Sequence, residues 1–544
     1  MKTFKNIAAA FALVVILFAG CKNPAEDVQI IVNTDIFKSP TLVQFVNAKK
    51  GAAGPQDFNV TITGPNADLV RTSTGGKSFK ATSGLLNLLL DRSANPTPAS
   101  PVKFTVVANA TGFAPIFQDV VITSATDPTL YQVAVAEYAN PAVGTGAIVD
   151  TKPITNGTTS TDIIITTPTN AGVAQQTNIT VPTGTGLLDA AGASVGGGQL
   201  ESRIAFNSTA TNGTTPTVPG GNAAKNVVGA NGQPIAGGVT FIPAGSVSID
   251  MYSGGKEVRS FTKPVIVDME LNAATINPTT NAVVKAGETI PMWSLNDETG
   301  QWKAEGNATV VTNGAGKLVA RMPITHLTAW SAAWESQAAY VCPTTLVITK
   351  PASASTEKFI VDGAGDIATF APGETSKTLT LVANKFGKGT ITVRTYVTNG
   401  GTAPAYVSNA VTSAFISNAC NASTTFAFVA PPAADVIDAD VYVRVKCSGK
   451  ELVTGINAIV TITPLNSTDE ARVYNLNQGR GSGQIVNGTT YKIVASVDGK
   501  SYVSQFTASK TNFQLPDGFD LKGTAVFTNG RLSIDGLVTK TDCN

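Results

Sequence analysis

His326 is the only histidine in the 544-residue chain, so it is the only imidazole available as a general base. It lies in the run Thr325-His326-Leu327-Thr328, after a predicted strand from Leu318 to Met322. A Ser-His-Asp hydrolase would have to use this histidine, and no Gly-x-Ser-x-Gly elbow in a strand-to-helix context accompanies it. The alternative is structural: the imidazole and Trp330 would pack across nearby tryptophans and close a β module.

The elements that would position this histidine are two strands and a hairpin that precede it. Val247 to Met251 and Val265 to Leu271 show the period-two alternation of half-buried strands. Trp293 and Trp302 flank the turn-forming run Asn296 to Gly300. This spacing predicts a β-hairpin with one tryptophan on each strand.

The stretch from Gly238 to Trp334 resembles a β-sandwich module of ankyrins and netrin receptors. The resemblance rests on Ile242-Pro243-Ala244-Gly245 followed by the tryptophan hairpin. It implies a β-sandwich fold for this part of the chain.

The end of this stretch is also similar to the self-cleaving site of metazoan adhesion receptors. In that site two tryptophans and a glycine precede His-Leu-Thr, an order that Trp293, Trp302, Gly306 and His326-Leu327-Thr328 follow here. The receptor pattern also has cysteines around the tryptophans, whereas this chain has no cysteine in that region.

The receptor resemblance implies a specific reaction. His326 would take the proton of the Thr328 hydroxyl, and the freed oxygen would attack the Leu327 carbonyl. Water would then hydrolyse the ester that this N-to-O shift produces, and the two fragments would stay paired through the sheet. A strained turn would have to present the carbonyl for the rate to be useful.

The N-terminus has the anatomy of a secretory signal peptide. Lys2 and Lys5 are basic, Ile7 to Phe18 is apolar, and small residues precede Cys21. The run Leu17-Phe18-Ala19-Gly20-Cys21 resembles the lipobox of bacterial lipoproteins, which implies cleavage before the cysteine and acylation of its thiol. The apolar run is shorter than the roughly 20 residues that span a bilayer. An ordinary signal peptide or a membrane anchor is the alternative.

Lys22 follows this cysteine, where an aspartate favours inner-membrane retention in the best-known lipoprotein sorting rule. We therefore expect an outer-membrane protein held by its N-terminal lipid. Its body would face the cell surface or the periplasm, and the sequence leaves both open.

Composition indicates the fold class. Charged residues are 14 % of the chain and the net charge is +1, so no basic field is available to bind nucleic acid. Short runs of period-two alternation with few strong helix formers predict an all-β protein. At this length we expect several tandem β-sandwich modules after the lipoprotein signal peptide.

We expect a signal peptide at residues 1–20 and a tether at 21–27. Behind them follow a β-sandwich module at 28–138, a Thr/Asn/Gly-rich β segment with mobile loops at 139–232, a β-sandwich module with the tryptophan hairpin and the His-Leu-Thr motif at 233–336, a β module at 337–420 and a last β module at 421–544. The first module resembles immunoglobulin-like or carboxypeptidase-regulatory-like modules of bacterial surface proteins, through its strand rhythm and Gly112-Phe113. The last resembles the carboxypeptidase-regulatory-like family through Ile459 to Thr463 and Asn487 to Tyr491.

Four cysteines remain once Cys21 carries the lipid, and an even number in an exported protein favours disulfides. They permit three connectivities. We prefer Cys342–Cys420 and Cys447–Cys543, because these pairs would staple two successive modules.

Metal and cofactor sites are not expected. No Cys-x-x-Cys pair is present and the single histidine lies away from the cysteines, which disfavours zinc. Asp435, Asp438 and Asp440 could ligate calcium, but no EF-hand spacing surrounds them and a solvated acidic turn is the alternative.

The sequence predicts a lipid-anchored cell-envelope protein of binding or structural type, an adhesin or a scaffold, without catalysis. Its partners would be the membrane, through the N-terminal lipid, and an unidentified protein or glycan held by loops at the sandwich ends. Two alternatives stay open: an autoproteolytic surface protein cleaved between Leu327 and Thr328, and a glycan-binding or glycan-processing lipoprotein.

Overall fold

The computed structural model describes residues 38–540 apart from internal gaps. The gaps are residues 50, 73–74, 126–128, 170–172, 210–220, 222, 297, 337–340, 362–366, 385–389, 397–403, 415, 417, 449–452, 456–457, 466–470, 477 and 498–499. The described residues form 41 strands, two short 3-10 turns and no α-helix, which confirms the all-β expectation. None of them builds an apolar helix of membrane-spanning length.

The first module is a sandwich of two four-stranded sheets, with strand orders β3-β5-β1-β8 and β4-β2-β6-β7. Alternate residues of the facing sheets, such as Phe45 and Val60, enter one core because successive side chains of a strand point to opposite faces. The first strand, β1, runs parallel to the last, β8. The strands are β1 (Lys38–Asn47), β2 (Phe58–Thr63), β3 (Val70–Arg71), β4 (Phe79–Ala81), β5 (Leu85–Leu90), β6 (Val102–Ala108), β7 (Ile116–Ile122) and β8 (Thr129–Val135).

The second module is built on a 14-stranded sheet with the main order β10-β11-β18-β23-β22-β21-β24-β16-β13-β9. Ile163 on β10 and Leu200 on β13 lie far apart in this order but share one core, so the sheet curls around that core. The strands are β9 (Thr145–Pro153), β10 (Ile163–Thr166), β11 (Thr177–Val181), β12 (Leu187–Leu188), β13 (Gln199–Ser208), β14 (Ala223–Ala224), β15 (Val227–Val228), β16 (Val239–Ser253), β17 (Lys256–Val258), β18 (Ser260–Glu270), β19 (Ile276–Asn277), β20 (Ala282–Val283), β21 (Thr289–Leu295), β22 (Trp302–Thr312), β23 (Leu318–His326) and β24 (Ala329–Glu335).

The boundary expected at residues 232–233 runs through this sheet. Strand β11 pairs with β18 and β13 pairs with β16, so strands from both sides of the boundary are hydrogen-bonded to each other. The Thr/Asn/Gly-rich segment therefore belongs to the same module as the tryptophan hairpin. Many of its sparse apolar residues, such as Ile179 and Phe206, enter the common core. The expected mobile loops fall partly on residues 210–220 and 222, outside the described residues.

The third module has two sheets, β28-β25-β31 and β27-β26-β29-β30. It extends past the expected limit of residue 420, because β31 pairs in parallel with β25. A disulfide joins Cys342 to Cys420 with a Cα–Cα distance of 5.3 Å, the pairing that we preferred. The strands are β25 (Val341–Thr349), β26 (Glu357–Val361), β27 (Ile367–Phe370), β28 (Ser376–Asn384), β29 (Thr392–Tyr396), β30 (Ala410–Thr412) and β31 (Ser423–Ala427).

The fourth module is again a sandwich, in which the first strand, β32, runs parallel to the last, β41. Cys447 lies opposite Lys540 at the end of this pair and takes part in a disulfide. Its predicted partner, Cys543, lies outside the described residues. The strands are β32 (Val436–Cys447), β33 (Val453–Gly455), β34 (Ala458–Pro464), β35 (Arg472–Leu476), β36 (Arg480–Val486), β37 (Thr490–Val497), β38 (Lys500–Thr507), β39 (Phe513–Gln514), β40 (Lys522–Thr528) and β41 (Arg531–Lys540).

The first module contacts the later modules through apolar side chains. Leu42 and Leu130, on the outer face of one of its sheets, pack with Ile360 of the third module and Val494 of the fourth. Its other sheet packs against the second module, as described below. All four modules accordingly belong to one unit that spans residues 37–544.

Removal of the Cys342–Cys420 disulfide by a double substitution to serine should destabilise the third module. The bond closes a loop with a sequence separation of 78 residues, and loss of a crosslink of this size costs about 2–5 kcal/mol. Thermal unfolding of the double variant should show an earlier transition than the parent, and an unchanged unfolding profile would contradict the stapling role.

Candidate functional site

His326 ends β23 at a corner of the second module. Its backbone pairs with Ser260 on β18, and its imidazole lies 4.8 Å from the Trp330 ring, measured between centroids. The imidazole is half-buried, and desolvation lowers its pKa, against the opposing charge of Glu305. The contact of His326 with Trp330 is one part of the packing expected in the structural alternative, while Trp293 and Trp302 belong to a different apolar cluster from Trp330.

The two residues after His326 are held by backbone and side-chain hydrogen bonds. Leu327 donates its N–H to the Arg259 carbonyl at 2.9 Å, and the Thr328 carbonyl accepts the Ile249 N–H at 3.3 Å. The buried Thr328 hydroxyl donates to the Leu295 carbonyl oxygen. The proton that self-cleavage would transfer to the imidazole therefore lies in a hydrogen bond to the neighbouring strand.

The tryptophan hairpin is formed by β21 and β22, as the turn residues predicted. Trp293 donates its indole N–H to the Ala333 carbonyl at 3.0 Å, which anchors one strand to β24. The indole N–H groups of Trp302 and Trp330 are buried and have no partner among the described residues. Because these two N–H groups form no hydrogen bond with a described residue, the two indole rings stabilise the module by packing.

The outer side of the hairpin covers the second sheet of the first module. Trp302 and Leu295 share an apolar cluster with Val107 and Phe117, which lie on the outward faces of β6 and β7. Sequence reasoning placed the tryptophans within one module and missed this contact. The signal in the sequence for this contact was an aromatic residue on the outward face of β7, Phe117, together with the hairpin residue Trp302.

The tip of the hairpin is fixed against the first module. Gly300 has a φ of +66°, and a Cβ there would lie 2.4 Å from Cγ2 of Thr105. The Thr63 hydroxyl donates to the Thr299 carbonyl at 2.8 Å. Only glycine fits this close approach with a left-handed backbone.

A groove of about 860 Å³ opens beside this tip. Its floor is the outward face of β2 and β6, where Thr61 pairs with Val107. Loops at one end of the first module form its walls, and Glu298 of the hairpin tip projects from the second module. The residues that line this intermodule groove are Gly54 to Asn59, Thr61, Val107 to Thr111, Phe113 and Glu298.

Most polar side chains of the intermodule groove make no hydrogen bond with a described residue. The exceptions are Asp57, which accepts the Ser83 N–H at 2.9 Å, and Gln56, which donates to the Gly54 carbonyl at 2.8 Å. The five that remain free are exposed: Asn59, Thr61, Asn109, Thr111 and Glu298. The groove thus presents amide, hydroxyl and carboxylate groups toward solvent.

A hydrogen bond between two titratable side chains joins the linker between the first two modules to β16. Tyr138 donates its hydroxyl to the Asp250 carboxylate on β16 at 2.7 Å. Burial raises the pKa of Asp250 to about 6, although the Tyr138 hydrogen bond and nearby arginines act against that rise. Burial and the Asp250 charge raise the pKa of Tyr138 as well.

The third module contains a buried ion pair. Lys350 and Glu357 form a buried ion pair at 2.7 Å, and the Tyr406 hydroxyl donates to the same carboxylate. Sequence reasoning missed this pair, because nothing in the local pattern places either residue in a core.

Of the three aspartates considered for calcium, Asp438 and Asp440 lie on β32 beside β41, and Asp435 lies in the 3-10 turn before β32. Arg531 binds Asp440 at 2.7 Å and approaches Asp438 at 3.7 Å. Ser482 and Gln484 donate to the same two carboxylates. Among the described residues, no group of three or more His, Cys, Asp or Glu residues could hold a metal ion. Cys21, the predicted lipidation site, lies outside the described residues.

Boiled samples of the purified protein should give one full-length band on a denaturing gel. The Thr328 hydroxyl is bound to the Leu295 carbonyl and His326 packs on Trp330, so the geometry does not favour attack on the Leu327 carbonyl. Two bands that merge into one in Thr328→Ala would instead establish self-cleavage.

Asp250→Asn should remove a pH-dependent loss of stability. Because the folded-state pKa of about 6 exceeds the usual 3.8, this carboxyl contributes stability below about pH 4 that is lost as the pH rises through 6. Relative to the parent, the variant should therefore gain stability between these pH values, by about 1–2 kcal/mol for a half-buried group. Unfolding midpoints across pH 4–8 would measure it.

Tyr138→Phe is the matched control for this pH series. It deletes the hydrogen bond that lowers the Asp250 pKa, so the loss of stability should move to higher pH. Parallel midpoint curves for the parent, Asp250→Asn and Tyr138→Phe would show that this carboxyl does not titrate differently on folding.

No family model and no curated protein matches the chain. The similar solved structures include a leucine-rich repeat protein from Bacteroides thetaiotaomicron, at 10 % identity and a TM-score of 0.19, which covers 37 % of this chain and 27 % of that one. The TIE protein of Bacillus anthracis is 12 % identical with a TM-score of 0.13, over 89 % of this chain and 68 % of that one.

The pilus adhesin SpaC of Lactobacillus rhamnosus GG, in its open conformation, is 10 % identical with a TM-score of 0.15. The match covers 93 % of this chain and 57 % of the adhesin. The chain thus spans about a quarter of the leucine-rich repeat protein and just over half of the adhesin. TM-scores this low establish neither a shared fold nor a shared activity, so function has to be argued from the chain's own residues.

Proposed function

We propose that the protein is a lipid-anchored component of the outer membrane that acts by binding, as an adhesin or a scaffold, and catalyses no reaction. The intermodule groove is the observation that carries the proposal. It combines loops at the end of a sandwich, where such folds usually bind ligands, with a fixed hairpin tip from a second module. Exposed side chains in it are available to a partner.

The groups that could support catalysis instead have structural contacts. His326 packs on Trp330, and Thr328 donates to Leu295. The buried Lys350–Glu357 pair lies in the core of the third module. These contacts favour binding over turnover. They also disfavour the autoproteolytic alternative that the His-Leu-Thr motif raises.

The lipid anchor rests on Cys21 and the small residues before it. Acylation of an N-terminal cysteine would hold the modules at a bilayer without any membrane-spanning segment. Lys22 supports outer-membrane placement, since the sorting signal for retention would be an aspartate there.

Cys21→Ala should release the protein from the membrane. The wild-type protein should sediment with outer membranes and incorporate a labelled fatty acid, whereas the variant should do neither because the acylated thiol is gone. Asn23→Ala serves as the control and should behave as wild type. A fully membrane-bound, unlabelled wild-type protein would refute lipid anchoring.

Protease treatment of intact cells then separates the two orientations. Release of fragments from intact cells expressing the wild-type protein would place the groove on the cell surface, in line with an adhesin. Protection until the outer membrane is permeabilised would place it in the periplasm, in line with a scaffold.

A further inference from the structure

We infer that the intermodule groove binds a neutral polysaccharide chain. The inference rests on the proposed binding function and specifies its ligand. It follows from the chemistry of the exposed side chains, from their arrangement along β2 and the loop after β6, and from the held backbone that carries Glu298.

The side chains in the groove match sugar hydroxyls. Asn59 and Asn109 each offer donors and an acceptor, and Thr61 offers both in one hydroxyl. A sugar hydroxyl likewise donates and accepts, so it can use either kind of group. Asp57 and Glu298 add acceptors only. A ligand rich in hydroxyl groups satisfies this mixed set better than one that only donates or only accepts.

The charge of the groove disfavours an anionic ligand. None of its lining residues is a lysine or an arginine, and two are carboxylates. Lys80 on β4 pairs with Asn59 but is not part of the lining. A cationic peptide would meet only these two carboxylates, because the other polar side chains of the groove are neutral. The balance of the lining therefore favours an uncharged polar chain.

The groove follows the direction of the strands. Asn59 and Thr61 lie on the same outward face of β2, two residues apart, which separates them by about 6.6–6.8 Å. Val107 lies beside Thr61 on β6, and its side chain is buried in the cluster with Trp302, so the contact between the modules closes the floor of this strip. The volume of about 860 Å³ is in the range of sites that enclose sizeable ligands. The spacing of Asn59 and Thr61 along β2 suits successive units of an extended chain.

Glu298 connects ligand binding to module packing. It lies on the hairpin tip, next to Thr299 and Gly300, which contact Thr63 and Thr105 of the first module. The backbone that carries Glu298 is thereby held over a surface that belongs to another module. The site is complete only when both modules are in contact, so it is preorganised for its ligand.

The test uses the purified full chain and isothermal titration calorimetry. The probes are four neutral polysaccharides (laminarin, mannan, dextran and hydroxyethylcellulose), with heparin as the polyanion and poly-lysine as the polycation. We expect binding to at least one neutral polysaccharide and none to heparin. Binding should change little when NaCl is raised to about 0.5 M, since no ion pair holds a neutral chain.

Asn59→Ala and Glu298→Gln should each weaken that binding by about tenfold, because each deletes or weakens hydrogen bonds to the ligand. Asn307→Ala is the matched control, since Asn307 is an exposed asparagine on strand β22 outside the groove. All three variants should keep the parent's unfolding midpoint, as exposed substitutions usually do.

Three results would overturn the inference: no neutral polysaccharide binds, binding persists unchanged in Asn59→Ala and Glu298→Gln, or only poly-lysine binds. The last would assign the groove to a cationic peptide. Membrane attachment through Cys21 is measured separately, so failure of the sugar assignment leaves the anchored-protein proposal intact.

Discussion

Burial of the tryptophan hairpin between two modules determines how this chain is arranged. Trp302 and Leu295 lie against Val107 and Phe117 of the first module. The strands that carry them, β22 and β21, also complete the core of the second module. Truncation of a fully buried aromatic ring costs about 3–5 kcal/mol. The same rings therefore stabilise a module and a contact between modules. The geometry of the groove depends on that contact.

Two sets of polar side chains differ in what they contact. The first set makes contacts that stabilise the fold. Thr328 hydrogen-bonds to the neighbouring strand, Lys350 neutralises Glu357, and Arg531 bridges two aspartates. Buried polar groups need such partners because an unpaired one is costly. A second set lies around the intermodule groove, where exposed amides and hydroxyls have no partner within the described chain. This difference favours ligand recognition by the groove over catalysis by the lone histidine.

Local features of the structure could be predicted from the sequence. Turn residues between two apolar runs specify the hairpin of β21 and β22. The structural alternative placed His326 and Trp330 across the hairpin tryptophans, and the structure contains the His326–Trp330 contact of that arrangement. Period-two alternation predicts strands, but it does not show which strands pair with each other. For that reason the expected boundary at 232–233 fell inside a sheet, and the groove could not be foreseen. Its walls depend on contacts such as that of Thr63 with Thr299, which are 236 residues apart.

Three modules share a feature that bears on their mechanics. In each, the first and last strands run side by side and parallel: β1 with β8, β25 with β31, and β32 with β41. Tension between the two ends of such a module is directed along the paired strands and loads all their hydrogen bonds at once, in shear. An antiparallel terminal pair would instead open like a zipper, one bond after another. A tethered protein that holds a partner under flow would retain its folded modules longer with the shear arrangement, and Cys342–Cys420 lies across one of these pairs as a covalent limit to extension.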